Sequence, residues 1–82
     1  MPSLQYVIDT ICSSLTVESM YQLIEGQLSQ GAFTIDEILP LIKEKDRSLD
    51  TGSAKMLAEA ALESLVRRGD IGMEGGRVCP VK

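Results

Sequence analysis

Apolar residues recur every three or four positions along most of this chain, which is the spacing of amphipathic α-helices. A first set follows Pro2-Ser3, a pair typical of helix starts, and consists of Leu4, Val7, Ile8, Ile11 and Leu15. A second set consists of Val17, Met20, Tyr21, Ile24 and Leu28. On one straight helix the two sets would lie on opposite sides, so we predict two helices with a break near Ser13-Ser14. Thr16 is expected to cap the second helix and Gly31 to end it.

Two further helices are predicted in the second half of the chain. Thr34-Ile35-Asp36-Glu37 is a capping-box pattern, and it starts a helix whose inward residues are Ile38, Leu39, Leu41 and Ile42. The charged stretch 43–51, closed by Gly52, is expected to be a solvated connector. Ser53 is expected to cap a last helix that reaches Arg68 and stops at Gly69. The apolar stripe of this helix is Ala54, Leu57, Ala58, Ala61, Leu62 and Leu65.

Short strands are predicted at two places. Residues 32–34 can form only a brief edge strand. Later in the chain Ile71 and Met73 alternate with other residues, a Gly75-Gly76 pair follows, and residues 77–79 return. Two short alternating runs around a glycine pair predict a hairpin at about 70–80. The expected fold class is therefore mainly α with a small β-hairpin, in a single domain over residues 1–82.

Two stretches resemble a known family. Residues 32–38 are similar to the short first strand and second helix of the winged helix-turn-helix superfamily. Residues 61–71, followed by 75–78, are similar to its recognition helix, glycine stop and wing. The resemblance implies a winged-helix core at 16–82, with the wing at about 70–80 and an extra accessory helix at 1–15.

The resemblance also implies double-stranded DNA binding by a recognition helix in the major groove and a wing on the backbone. The chain would then be a small DNA-binding transcriptional regulator, with contacts expected from Thr51, Ser53, Lys55, Arg67, Arg77 and Lys82. The first three are expected to hold a phosphate at the start of the last helix. Many members of the superfamily bind proteins instead, and fold alone does not choose.

Charge weakens the DNA interpretation without removing it. The net charge of −4 repels phosphate backbones at long range. The outward face of the last helix carries Glu59 and Glu63 beside its bases, and also Met56 and Ala60. These residues favour the alternative, a protein–protein interaction module or small subunit of a larger assembly. The sequence leaves both interpretations open.

The first helix raises a separate question, because a minimal winged-helix core does not need it. Its apolar stripe must be buried, either against its own domain or against the same helix of a second copy. Pairing would also place two recognition helices at two half-sites. We expect a homodimer, with an interface formed by Leu4, Val7, Ile8, Ile11 and Leu15.

Other classes of function are disfavoured by composition. The chain has no histidine, no nucleophile beside a base and no phosphate-binding glycine motif, so we expect no enzyme, no cofactor and no small-molecule substrate. Cys12 and Cys79 lack metal-ligand spacing, so no metal site is expected, and we expect free thiols with one of them buried. No signal peptide and no long apolar run is evident, which predicts a cytoplasmic protein without a membrane span.

Overall fold

The computed structural model describes residues 3–81. Its elements are α1 (Leu4–Thr10), α2 (Val17–Leu28), β1 (Phe33–Thr34), α3 (Ile35–Lys45), α4 (Thr51–Arg68), β2 (Ile71–Glu74) and β3 (Arg77–Pro80). The three strands form one antiparallel sheet in the order β1-β3-β2. The prediction of a mainly helical fold with a small hairpin is confirmed.

The hydrophobic core lies around α4. All six residues of its predicted apolar stripe are buried, from Ala54 to Leu65. The other helices contact α4, and β2 packs against it as well. The largest fully buried side chains are Phe33, Met20, Ile24, Ile38, Ile42, Leu57, Leu65 and Val78. One core therefore joins all four helices to the sheet.

The sheet is held by pairing between distant parts of the chain. β2 and β3 form the predicted hairpin around Gly75 and Gly76, whose φ angles of 57° and 80° are the left-handed values of a two-residue hairpin turn. β1 adds to β3 with Phe33 opposite Val78. Both of these side chains are fully buried, so this register joins the sheet to the helical core.

Helix α1 is shorter than its apolar spacing suggested, because a helix-ending motif follows Thr10. The amide of Cys12 donates to the carbonyl of Asp9, and the amide of Ser13 donates to the carbonyl of Ile8. This is the Schellman pattern, with Cys12 at φ 55° where glycine is usual. Both cysteines are free, and neither is fully buried, so the expectation of a buried thiol is wrong.

The predicted connector at 43–52 is also shorter in the structure. Lys43 and Lys45 belong to the last turn of α3, and Gly52 lies in the first turn of α4. The cap of α4 is Asp50, whose carboxylate accepts a hydrogen bond of 2.7 Å from the amide of Ser53. The prediction of Ser53 as cap is therefore wrong by three positions, because an aspartate with equal capping ability precedes it.

The apolar stripe of α1 is buried within its own chain. Leu4, Val7, Ile8 and Leu15 are buried, Ile11 is partly buried against the same core, and α1 packs on α4. The expected homodimer required this stripe to be exposed. The structure instead packs the stripe into the core of its own chain, so it gives no support to a dimer through these residues. Within residues 3–81, no helix has the length and apolar character needed to cross a bilayer.

Candidate functional site

Positive charge is concentrated where α3 meets α4. Residues 43–55, which we call the α3–α4 corner, contain four of the eight Lys and Arg residues but only three of the twelve Asp and Glu residues. The corner therefore has a net charge of +1, four minus three, and the rest of the chain has −5. The corner cations are Lys43, Lys45, Arg47 and Lys55.

One of the three corner acids points inward. Asp46 is buried, and its carboxylate accepts four hydrogen bonds from Ser13, Ser14 and Ser48. The hydroxyl of Ser48 and the amide of Ser14 hold the pKa of Asp46 far below its usual range, so it stays ionised. Asp46 therefore directs its charge at donors of the chain, and the exposed acids of the corner are Glu44 and Asp50.

The remaining corner side chains lie on α3, in the turn and near the beginning of α4, and one contact between them is seen. The ammonium of Lys43 donates to the hydroxyl of Thr51 at 3.1 Å. Lys55 is exposed and follows Thr51 by four positions, which places both residues on the same face of α4. Arg47 lies exposed in the turn between the two helices. The fold thus brings together side chains from α3, the turn and α4.

One backbone amide at the start of α4 is engaged by a carboxylate of the chain. Asp50 accepts from the Ser53 amide, and this bond lowers the pKa of Asp50, with a smaller contribution from the positive charge of Lys43. A phosphate at this place would lose the Ser53 amide and would meet a negative charge. The phosphate site of Thr51, Ser53 and Lys55 therefore stays a prediction, with one of its amides engaged by Asp50 and with Lys55 as its exposed cation.

Bases in the second half of α4 are engaged with neighbouring groups. Arg67 forms a 2.6 Å ion pair with Glu63. Arg68 forms a 3.3 Å ion pair with Asp70, and its guanidinium lies 5.5 Å from the ring centre of Tyr21. The Tyr21 hydroxyl in turn shares a 2.7 Å hydrogen bond with Ser64. Arg67, expected to contact DNA, thus has a partner within its own helix.

The hairpin tip provides one further base. Arg77 is exposed at the start of β3, and its Cα partners are Glu74 on β2 and Thr34 on β1. The negative charge of Glu74, which lies opposite Arg77 across the strands, reduces the positive potential at the hairpin tip. Lys82, the last expected contact, lies outside the described residues.

Comparison with known proteins adds no assignment. No family model, curated protein or solved structure matches this chain. Among residues 3–81 the structure also has no group of three or more His, Cys, Asp or Glu side chains placed to hold a metal ion. The site must therefore be judged on its own geometry and charge.

Sequence reasoning missed part of this site. It assigned Lys43, Lys45 and Arg47 to a solvated turn, because their charges alternate with Glu44 and Asp46. The signal that was available is the spacing of Asp46 and Ser48, since an aspartate often binds the backbone two residues later and thereby folds a turn. The contact of Asp46 with Ser13 has no local signal, because the two residues are 33 positions apart.

Proposed function

We propose that this chain is a winged-helix domain that binds double-stranded DNA without catalysing a reaction. The element order α2, β1, α3, α4, β2, β3 supports the fold, since it is the order that the resemblance implied. The addition of β1 to the hairpin in one sheet supports it further. In this arrangement α4 is the recognition helix and residues 71–80 form the wing.

The observation that carries the function is the excess of positive charge at the α3–α4 corner of an otherwise acidic chain. In a helix-turn-helix protein, the N-terminal residues of the recognition helix contact the bases, and the preceding helix crosses the backbone. Lys45 ends α3, Arg47 lies in the turn and Lys55 lies near the start of α4, and all three side chains are exposed. Arg77 on the wing adds a fourth cation. With few phosphate contacts, we expect weak affinity that depends strongly on salt.

Fluorescence anisotropy with a duplex of mixed sequence tests this proposal. Four phosphate contacts predict that log K falls with log salt with a slope of about −3.6, at about 0.9 per contact. Arg47→Gln and Lys55→Gln should each reduce the slope by about 0.9. Arg67→Gln is the matched control, because Arg67 is already paired with Glu63 and should change the slope little.

One result would refute the DNA proposal, and another would refute its location at the α3–α4 corner. One is the absence of binding at about 50 mM salt, where phosphate contacts are strong. The other is an equal loss from Arg67→Gln and Lys55→Gln, which would mean that the α3–α4 corner has no special part in binding.

A second candidate function is recognition of a protein partner. It is supported by Met56, which lies on the outer side of α4 and is 49% exposed, and by the internal pairing of Arg67 and Arg68. Flexible methionine side chains are common on surfaces that bind proteins. If the chain fails to bind DNA at low salt, recognition of a protein partner becomes the better-supported function.

A further inference from the structure

Asp46 differs from the other acids of the chain in its surroundings. Within residues 3–81 it is the only buried charged side chain, with 7% of its surface exposed. Its two carboxylate oxygens bind two different segments. Oδ1 accepts from the amide and hydroxyl of Ser48, at 3.1 and 2.6 Å. Oδ2 accepts from the hydroxyl of Ser13 and the amide of Ser14, both at 3.0 Å.

The segment bound by Oδ2 is fixed to the rest of the fold. Ser13 and Ser14 follow α1, which is held by burial of Leu4, Val7 and Ile8. The Ser13 hydroxyl also accepts from the amide of Leu15 at 3.1 Å. The α1–α2 loop therefore offers a rigid support to the carboxylate.

The segment bound by Oδ1 is the turn that leads into α4. The carbonyl of Asp46 accepts from the amide of Leu49, whose side chain is buried. The next residue is Asp50, the cap of α4. Asp46 thus connects the fixed α1–α2 loop to the turn that carries Arg47 and precedes Lys55.

We propose that Asp46 is a positioning residue for DNA binding, which holds the α3–α4 corner in the arrangement that presents Arg47 and Lys55 together. This inference rests on the proposed function. It also gives α1 a role, since the accessory helix anchors the far side of the Asp46 contact. Loss of the contact lets the turn sample other arrangements, and affinity falls with the fraction that remains competent.

Simple electrostatics predicts the opposite sign. Removal of any acid near a DNA-binding surface lowers repulsion of phosphate and should strengthen binding. Asp46→Asn keeps the size of the side chain but replaces one of the two acceptor oxygens by an amino group, so it cannot keep both the bonds from Ser13 and Ser14 and the bonds from Ser48. Glu44→Gln removes the same charge from an exposed position of α3 and is the matched control.

The experiment measures DNA affinity and backbone amide exchange on the full chain. Asp46→Asn should weaken binding by about fivefold, as expected if about one fifth of the molecules remain competent. Glu44→Gln should bind as tightly as the parent or more tightly. Exchange should accelerate at the Ser14 amide, the Ser48 amide or both in Asp46→Asn, while amides inside α4 keep their protection.

Each result then decides a separate question. Unchanged exchange at Ser14 and Ser48 in Asp46→Asn overturns the inference, and so does faster exchange with affinity as high as that of Glu44→Gln. If Asp46→Asn does not fold, Ser13→Ala provides a second test, because it removes one of the bonds to Oδ2. This variant should show a smaller loss of DNA affinity, and an unchanged affinity overturns the inference. If the parent chain binds no DNA, the proposed function fails and with it the positioning role, while the exchange data still report whether Asp46 holds the turn.

Discussion

Truncation of Ile8 distinguishes a helix packed on its own domain from one that awaits a partner. Ile8 lies on α1 and is 5% exposed in the single chain. Ile8→Ala removes three carbon atoms, which corresponds to about 2.4 kcal/mol of transfer free energy at about 0.8 kcal/mol each. With the cavity left behind, we expect a loss of about 2.5–4 kcal/mol in the free energy of unfolding.

This loss is large for a chain of 82 residues, whose expected stability is about 4–12 kcal/mol. Urea unfolding followed by circular dichroism should show a midpoint lower by about 2.5–4 M, for a slope of about 1 kcal/mol per M. Tyr6→Ala is the control on the same helix, because Tyr6 is 61% exposed, and it should change stability by less than about 0.5 kcal/mol.

The same measurement at two protein concentrations tests the oligomeric state. For a helix buried within one chain, the midpoint is the same at about 5 µM and about 200 µM, whereas a dimer becomes more stable as concentration rises. A midpoint that rises with concentration, or equal effects of Ile8→Ala and Tyr6→Ala, would refute the packing described here.

Two further predictions concern the loop after α1 and the corner acid. At Cys12 the φ of 55° costs an ordinary residue about 1–2 kcal/mol of folding free energy. Glycine avoids this cost but loses about 0.4–1 kcal/mol because its unfolded chain is freer. Cys12→Gly should therefore be about 0.5 kcal/mol more stable than Cys12→Ala in thermal unfolding under reducing conditions. The reverse order would contradict the Schellman ending. The pKa of Asp46 is lowered by the Ser48 hydroxyl and the Ser14 amide, so its stabilising effect is present above the unfolded pKa of about 3.9 and is lost as pH falls toward the lower folded pKa. The free energy of unfolding should therefore fall more steeply between about pH 5 and about pH 2 for the parent than for Asp46→Asn. Parallel curves would show that the carboxylate does not accept these hydrogen bonds.

The parts of the fold with local signals could be predicted from the sequence. The stripe of α4 follows the helical repeat, and the glycine pair at 75–76 supplies the positive φ values that its turn requires. The start of α2 could also be predicted, because threonine is a preferred N-cap residue. The structure confirms it, since the Thr16 hydroxyl accepts a hydrogen bond from the amide of Ser19. Each of these features is determined by interactions between residues a few positions apart, so a short segment of sequence is enough to predict it.

The remaining features depend on choices between equal local signals or on distant contacts. Asp50 and Ser53 are both good caps, and only the packing of Leu49 and Ala54 places the start of α4. The end of α1 was missed because a cysteine occupies a position where glycine is the usual signal. Lys55 and Arg77, two candidate contacts taken from the sequence, are exposed, and their contact with DNA stays a prediction. The engagement of Arg67 and the enclosure of Asp46 required the three-dimensional structure.

The pairing of β1 with β3 has a consequence for the order of folding. Phe33 and Val78 are 45 positions apart, whereas β2 and β3 are joined by two residues. The hairpin closes a short loop and forms on the microsecond scale by itself, but β1 must close a long loop and loses more chain entropy. Helices α3 and α4 lie within that long loop, and their packing shortens the distance that the chain must search. We therefore expect the sheet to be completed after the helices have met, with Phe33 reaching its buried position late in folding.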